Sequence, residues 1–222
     1  MVVETAICFA GGSSGHFVLH ICSNILYNTE IEINSDGSCH AKTNIPDCIF
    51  VANEYALDSD SHKAEENFLN NIPNCKFLLG HMRNINLVAS MSKRVIYIDF
   101  TNDDIKVLHD NIKHKAAHIS HKAYEMLRGA DWPEYTDKLP LHIVNEINEL
   151  NAKHYTEWNW LLPASASNVL KINFKDMGNE TWIEDLFGFL NVKPTIEKIN
   201  YLQRKLKEYK DAQSLHRDAI SA

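Results

Sequence analysis

Runs of apolar residues alternate along the chain with segments that repeat apolar side chains at helical spacing. Residues 5–10 form a short β-prone run that ends at two glycines, and residues 17–27 then place apolar side chains on one helix face. Further β-prone runs occupy residues 75–80, 94–100 and 169–174. Helices are predicted at 60–71, 85–91, from Asp103 onward, and at 137–155, 179–190 and 194–216.

The order of these elements predicts the fold class. Four main β-type runs separated by helices favour parallel strands joined by right-handed crossovers, with helices on both faces of the sheet. Residues 28–60 are rich in Asn, Asp, Ser and Pro and predict loops with one short strand at 48–52. No internal repeat or Gly/Ser/Pro-rich linker divides the sequence. We therefore predict an α/β protein, doubly wound around a mainly parallel sheet, with residues 1–222 in a single domain.

Composition disfavours several classes of protein. The 222 residues include 22 Lys and Arg against 29 Asp and Glu, so the net charge of −7 disfavours nucleic acid as a partner. Five cysteines in no CxxC or disulfide-framework spacing favour free thiols in a reducing compartment. No apolar run is long enough for a membrane span, and the first strand begins too early for a signal peptide. We therefore expect a cytoplasmic protein.

Glycines cluster between the first predicted strand and the first predicted helix, where Gly11, Gly12 and Gly15 account for three of the eight in the chain. Such a turn can curl its N–H groups into an anion-binding nest at the helix N-terminus, with hydroxyl donors from Ser13 and Ser14. The alternative is a tight turn whose glycines serve packing alone. Its position after the first strand favours anion binding. The spacing matches neither GxxxxGK[ST], because no lysine follows Gly15, nor GxGxxG.

The turn resembles the 5′-phosphosulfate loop of the P-loop sulfotransferases, in which a strand leads into Lys/Arg-Ser-Gly-Thr-Thr and then a helix. Ser14 and Gly15 match the Ser-Gly of that loop. His16 takes the place of the first Thr, and Phe17 lies at the start of the helix. Later segments similar to that family follow in its order, at residues 76–82, 94–104 and 172–192.

The resemblance implies a P-loop nucleoside triphosphate hydrolase-like fold of the sulfotransferase type, with sulfuryl transfer to a hydroxyl on a small molecule or a carbohydrate. It implies 3′-phosphoadenosine 5′-phosphosulfate as co-substrate and no metal. Residues 76–82 resemble the strand that, in this family, ends near a histidine acting as the general base. The resemblance therefore implies that role for His81. The implied donor-binding residues are those of the loop: Gly11, Gly12, Ser13, Ser14, Gly15, His16 and Phe17.

The sequence departs from the family at three basic or polar positions. Ser13 stands where the loop has Lys or Arg, and Phe100 and Leu108 stand where the 3′-phosphate motif has Arg and Ser. An apolar side chain cannot replace a charge-assisted hydrogen bond worth roughly 1.5–3 kcal/mol. Either the sulfate donor binds poorly, or other basic residues bind its phosphates. The candidates for that role are Arg83, Lys42, Lys106 and Lys113.

Histidines supply the remaining candidate chemistry. His81 follows a strand at the sheet edge where α/β proteins bind ligands, so its imidazole can accept a proton from an acceptor hydroxyl; the alternative is a polar strand-end residue. His16 is a second catalytic candidate, because it can donate a hydrogen bond to a sulfonyl oxygen. His40 is similar to a Gly-x-x-His element of some relatives and, with Arg83, is a candidate for substrate binding. A further group shares one helix face, but a solvated face explains it better than a metal site: His114, His118 and His121.

Two other functions stay open on the sequence alone. A kinase-like phosphotransferase would use Asp99 for Mg²⁺, although the loop lysine for the phosphates is missing. A non-catalytic binding module would keep the fold and lose the donor site. The C-terminal helix carries an apolar stripe that packs on the body of the protein or on a second copy, as in a homodimer: Ile199, Leu202, Leu206 and Tyr209.

Overall fold

The computed structural model describes residues 3–10, 13–34, 39, 44–51, 66–67, 69–105, 107–108 and 160–221, with side chains up to residue 214. Its strands are β1 (Val3–Cys8), β2 (Cys48–Val51), β3 (Cys75–Gly80), β4 (Ser92–Asp99) and β5 (Val169–Asn173). Its α-helices are α1 (Gly15–Tyr27), α2 (Ile85–Met91), α3 (Thr181–Leu190) and α4 (Ile196–Ser221). Short 3₁₀ helices occupy Asn102–Asp104 and Phe174–Gly178.

The chain divides into two compact units. Met1–Phe100 and Asn159–Ala222 form the first unit, which contains every strand described above. Thr101–Trp158 forms the second unit, where the Thr101 side chain and Asp104 form a reciprocal capping box around the 3₁₀ helix. The predicted helix at 137–155 lies outside the described residues, and the single-domain organisation stays a prediction.

The first unit is built on a five-stranded parallel sheet in the order β2-β3-β1-β4-β5. Ile7 of β1 pairs in register with Leu79 of β3 on one side and Ile96 of β4 on the other. Each strand corresponds to an apolar run in the sequence, and the short run at 48–52 forms the edge strand β2. The prediction of an α/β, doubly wound parallel sheet is confirmed.

Alternate strand residues bury two separate cores, one on each face of the sheet. Ile7, Phe77 and Ile96 contribute to the first core, together with residues of α1, α3 and α4. Ala6 and Leu78, one position along from Ile7 and Phe77, contribute to the second core with residues of α2. Both faces of the central strands are therefore covered, which explains why these strands are almost continuously apolar in sequence.

The C-terminal helix α4 packs on the first core through the apolar stripe predicted for it. Leu202 and Leu206 are 0% and 2% exposed, and Tyr209 is 7% exposed. Of the two alternatives that the sequence left open, this stripe packs on the body of the protein. Trp182 of α3 is also a core residue, at 3% exposure.

Helix α1 is joined to β1 by a hydrogen bond in which the Tyr27 hydroxyl donates to the Glu4 carboxylate at 2.6 Å. That bond lowers the pKa of Glu4, while burial and the same bond raise the pKa of Tyr27 to about 12. A lowered carboxyl pKa adds stability that is present above pH 4.5, the ordinary value, and is lost as pH falls through the lowered value.

We expect Tyr27→Phe to lower the free energy of unfolding at pH 7 by about 0.5–1.5 kcal/mol, because the hydrogen bond to a carboxylate is lost. The difference between variant and wild type is expected to shrink as pH falls through the lowered pKa of Glu4, because protonation of the carboxyl weakens the same bond in the wild type. Urea denaturation at pH 7 and at a series of acidic pH values measures this. A loss that stays constant through the whole acidic series contradicts the assignment.

Candidate functional site

The turn from β1 into α1 lies at the carboxyl edge of the sheet. Ser14 is the N-cap of α1, with a left-handed backbone at φ 66°, and its side chain does not cap the helix. The first bond within the helix runs from the Val18 N–H to the Ser14 carbonyl at 3.1 Å. The amides of residues 15–17 precede that bond, at the positive end of the helix dipole. This geometry suits an anion.

Gly15 is required by packing. A Cβ atom on Gly15 would lie 2.2 Å from Cγ of Phe9, whose ring covers the start of α1. The packing alternative for the glycine cluster therefore holds for Gly15. Glycine at this position therefore allows α1 to pack close to the end of β1.

Ser13 and Ser14 use their hydroxyls differently. Ser13 is fully buried, and both its N–H (3.1 Å) and its hydroxyl (2.6 Å) donate to the Ala10 carbonyl. The predicted role of Ser13 as a hydroxyl donor to an anion therefore conflicts with its use inside the turn. Ser14 is half-buried, and its Oγ accepts from the Tyr209 hydroxyl at 2.8 Å. Accepting that bond leaves the Ser14 hydroxyl proton able to donate elsewhere.

His16 and His81 meet the same two phenylalanine rings at this edge. Phe9 makes edge-to-face contacts with His16 and His81, with ring centroids 5.6 Å and 4.7 Å apart. Phe50 makes edge-to-face contacts with the same imidazoles at 5.3 Å and 6.4 Å. We call Phe9, His16, Phe50 and His81 the aromatic cluster. Both imidazoles are half-buried, and Phe50 is 38% exposed.

Backbone hydrogen bonds fix the cluster to the strand ends. The Phe9 N–H donates to the Gly80 carbonyl at 3.1 Å, and the His81 N–H donates to the Val51 carbonyl at 3.3 Å. A Cβ on Gly80 would lie 2.5 Å from that carbonyl oxygen, so glycine allows β2 and β3 to approach closely here. The pairing of three parallel strands thus brings together residues that the sequence separates widely.

Arg83 lies two residues beyond His81 and is only 9% exposed. Its carbonyl accepts from the N–H groups of Ile85 and Leu161, each at 3.0 Å. Asn84 next to it caps α2, accepting from the Leu87 N–H at 3.0 Å. Hydrogen bonds therefore hold the loop 81–84, which follows β3, at both ends. A substrate-binding role for Arg83 stays a prediction.

Several predicted residues lie outside the part of the chain that the structure describes. They are Gly11, Gly12, His40, Lys42, Lys106, Lys113, His114, His118 and His121. Within the described ranges, no group of three or more His, Cys, Asp or Glu residues is arranged for a metal ion. Phe100 is half-buried and Leu108 is fully buried, and neither of these apolar side chains carries a charge for a phosphate. Asp99, the Mg²⁺ candidate, forms an ion pair with Lys171 at 3.6 Å.

Sequence reasoning missed the phenylalanines of the aromatic cluster and the partner of Ser14. Phe9 and Phe50 lie in apolar runs, where nothing in the sequence separates a core phenylalanine from one at the sheet edge. Tyr209 is 195 residues from Ser14, and no local pattern connects them. Among the described residues, no helix is both long enough and apolar enough to cross a membrane.

The structure resembles retinol dehydratase. A crystal structure of that protein with androsterone and the inactive cofactor PAP has a TM-score of 0.48 and 12% identity, over 91% of this chain and 64% of that one. A second, with retinol and PAP, has a TM-score of 0.45, again with 12% identity over the same shares. This chain thus spans about 64% of the length of those proteins.

A sugar kinase from Janibacter, solved without ligand, is also similar, with a TM-score of 0.36 and 10% identity over 87% of this chain and 97% of that one. No protein-family model matches the sequence, and no curated protein has significant similarity to it. At 10–12% identity, these similarities concern the fold and say nothing of activity.

Proposed function

We propose that the protein is a sulfotransferase that moves a sulfuryl group from 3′-phosphoadenosine 5′-phosphosulfate to a hydroxyl of a small molecule or a carbohydrate. One observation carries the proposal. The N-terminus of α1 and the imidazole of His81 lie against the same Phe9 ring, at the carboxyl edge of a parallel sheet. An anion site and a base therefore adjoin where α/β folds bind ligands.

The donor's 5′ side is assigned to the start of α1. The amides of residues 15–17 and the proton of the Ser14 hydroxyl are its hydrogen-bond donors, and the helix dipole adds roughly half a positive charge there. His16, in the first turn, donates to a sulfonyl oxygen from the aromatic cluster. These groups are in position before the reaction, so they stabilise charge without a reorganisation cost.

His81 is assigned as the general base. It accepts the proton of the acceptor hydroxyl while the acceptor oxygen bonds to sulfur. The bond from sulfur to the bridging phosphate oxygen breaks, and adenosine 3′,5′-bisphosphate leaves with the electron pair. Residues of the turn hold the leaving phosphate, so positioning and charge stabilisation supply most of the catalysis.

Isothermal calorimetry with the full chain tests this function. We expect saturable heat with 3′-phosphoadenosine 5′-phosphosulfate and less affinity for Mg²⁺-ATP, since no lysine follows Gly15 to hold a β- or γ-phosphate. An absence of heat with the sulfate donor, alongside clear binding of another nucleotide, rejects the sulfotransferase.

A second candidate is a binding module that kept the fold without catalysis. Two observations favour this candidate. Leu108 is a buried apolar residue where the family has a polar one, and the hydroxyl of Ser13 already donates to the Ala10 carbonyl inside the turn. Each leaves one polar group fewer to bind the sulfate donor. The two functions differ in their response to His81→Ala. The module predicts unchanged ligand affinity and no measurable transfer in either protein, whereas the sulfotransferase predicts transfer that the substitution abolishes.

A further inference from the structure

Helix α4 contacts the turn between β1 and α1 through Tyr209. The Tyr209 hydroxyl donates to Ser14 Oγ at 2.8 Å, and the Gln213 side-chain amide donates to the Tyr209 hydroxyl at 2.7 Å. The Tyr209 ring stacks on Phe17 with centroids 4.0 Å apart and planes 3° from parallel. The hydroxyl and the ring of this buried tyrosine are thus both held at the start of α1.

The same helix α4 also holds the opposite end of α1. Lys198 Nζ donates to the Asn24 carbonyl at 2.9 Å and to Asn24 Oδ1 at 3.0 Å, and it also contacts Asn28 Oδ1. A cation among the last carbonyls of a helix complements the negative end of its dipole. Because α4 is bonded to both ends of α1, it fixes where the N-terminus of α1 lies.

Ser14 needs such support because of its backbone. A left-handed φ of 66° is unfavourable for a residue other than glycine and persists where surrounding contacts hold it. Ser14 lacks a side-chain capping bond to its own helix, and its hydroxyl instead accepts a hydrogen bond from Tyr209. The three side chains donate in one direction, from Gln213 to Tyr209 to Ser14, which polarises each successive hydroxyl.

We infer that Tyr209 is a positioning residue for the anion site: supported by Gln213, it orients the Ser14 hydroxyl and holds the N-cap of α1 so that this hydroxyl and the amides of residues 15–17 face the bound anion. The identity of that anion, the 5′ side of the sulfate donor, rests on the proposed function. The positioning of the N-cap rests on the contacts of α4 alone.

Tyr209→Phe is the variant that isolates the hydroxyl, because it keeps the ring stacked on Phe17. We expect the Kd for adenosine 3′,5′-bisphosphate, measured by calorimetry, to rise about fivefold to tenfold, as for one lost hydrogen bond. Tyr201→Phe is the matched control on the same helix, since its hydroxyl accepts from the Ile31 N–H at 3.2 Å, away from the turn. Its Kd is expected to stay within about twofold of wild type.

A double-mutant cycle separates positioning from general destabilisation. Ser14→Gly removes the hydroxyl, and glycine adopts φ 66° readily. If Tyr209 acts through that hydroxyl, adding Tyr209→Phe to Ser14→Gly leaves the Kd unchanged. If the two effects add, Tyr209 does not act through Ser14 and the inference fails. Equal affinity of Tyr209→Phe and wild type overturns the inference and leaves the sulfotransferase proposal standing.

Hydrogen exchange decides the case in which wild type binds no adenosine bisphosphate, an outcome that rejects the proposed function alone. We expect Tyr209→Phe to speed amide exchange at Val18 severalfold, relative to Tyr201→Phe, because the Val18 N–H donates to the carbonyl of Ser14 and the N-cap loses its anchor. Faster exchange there supports the positioning role with no ligand present. Exchange at Val18 that matches the Tyr201→Phe control overturns it.

Discussion

His81→Gln is expected to lower the rate of sulfuryl transfer by about 10²–10⁴-fold, the range for loss of a general base. Glutamine has a similar length and keeps a polar group beside the Phe9 ring, but it cannot accept a proton near neutral pH. The Kd for adenosine 3′,5′-bisphosphate is expected to stay within about twofold, because His81 is assigned to the acceptor and not to the donor. Single-turnover assays and calorimetry on the same preparations measure both.

His16→Gln is the matched comparison within the aromatic cluster, since both imidazoles contact Phe9 and Phe50. His16 is assigned to the donor, so its substitution is expected to weaken donor binding together with the rate. Retained activity in His81→Gln contradicts the assignment.

Gly15→Ala is expected to destabilise the protein by about 1–3 kcal/mol, because the new methyl overlaps the Phe9 ring and one of the two must move. The Cβ position lies 2.2 Å from Phe9 Cγ and 2.4 Å from Cδ1, so no rotation of that ring alone removes the overlap. Since His16 and His81 both pack against this ring, displacement of Phe9 is also expected to reduce donor binding and transfer.

Gly188→Ala is the matched control for the glycine substitution. Gly188 lies inside α3, and a Cβ there meets no atom within 4 Å in the described structure. Alanine in a helix interior is expected to stabilise by about 0.5–1 kcal/mol relative to glycine. The two variants should therefore shift the urea midpoint in opposite directions. A Gly15→Ala protein as stable as Gly188→Ala and fully active shows that the Phe9 contact does not constrain the turn.

The sheet and most helices follow from local patterns in the sequence. The sequence predicts β3 at 75–80 and α2 at 85–91, which are their observed bounds, because an apolar run ends at Gly80 and a second apolar segment follows it. The start of α1 was placed two residues late, at 17 instead of Gly15. Apolar periodicity begins at Phe17, whereas the helix begins where Ser14 takes its left-handed conformation.

The internal arrangement of the candidate site was less predictable. Glycine and serine composition marked the turn, but it carried no signal that Ser13 turns both of its donors to Ala10 while Ser14 is left half-buried. Those orientations depend on tertiary contacts, above all the bond from Tyr209 on α4. Contacts between residues distant in sequence depend on strand order and helix packing, and neither is encoded in a short window.

An NMR titration of amide-labelled protein with adenosine 3′,5′-bisphosphate tests most directly whether the start of α1 binds the donor. The account predicts that the largest saturable shift changes fall on the backbone amides of Gly15, His16 and Phe17, which lie before the first intrahelical bond at Val18. Saturation of the protein with ligand while these three amides keep their shifts, or an absence of any saturable change, would contradict it.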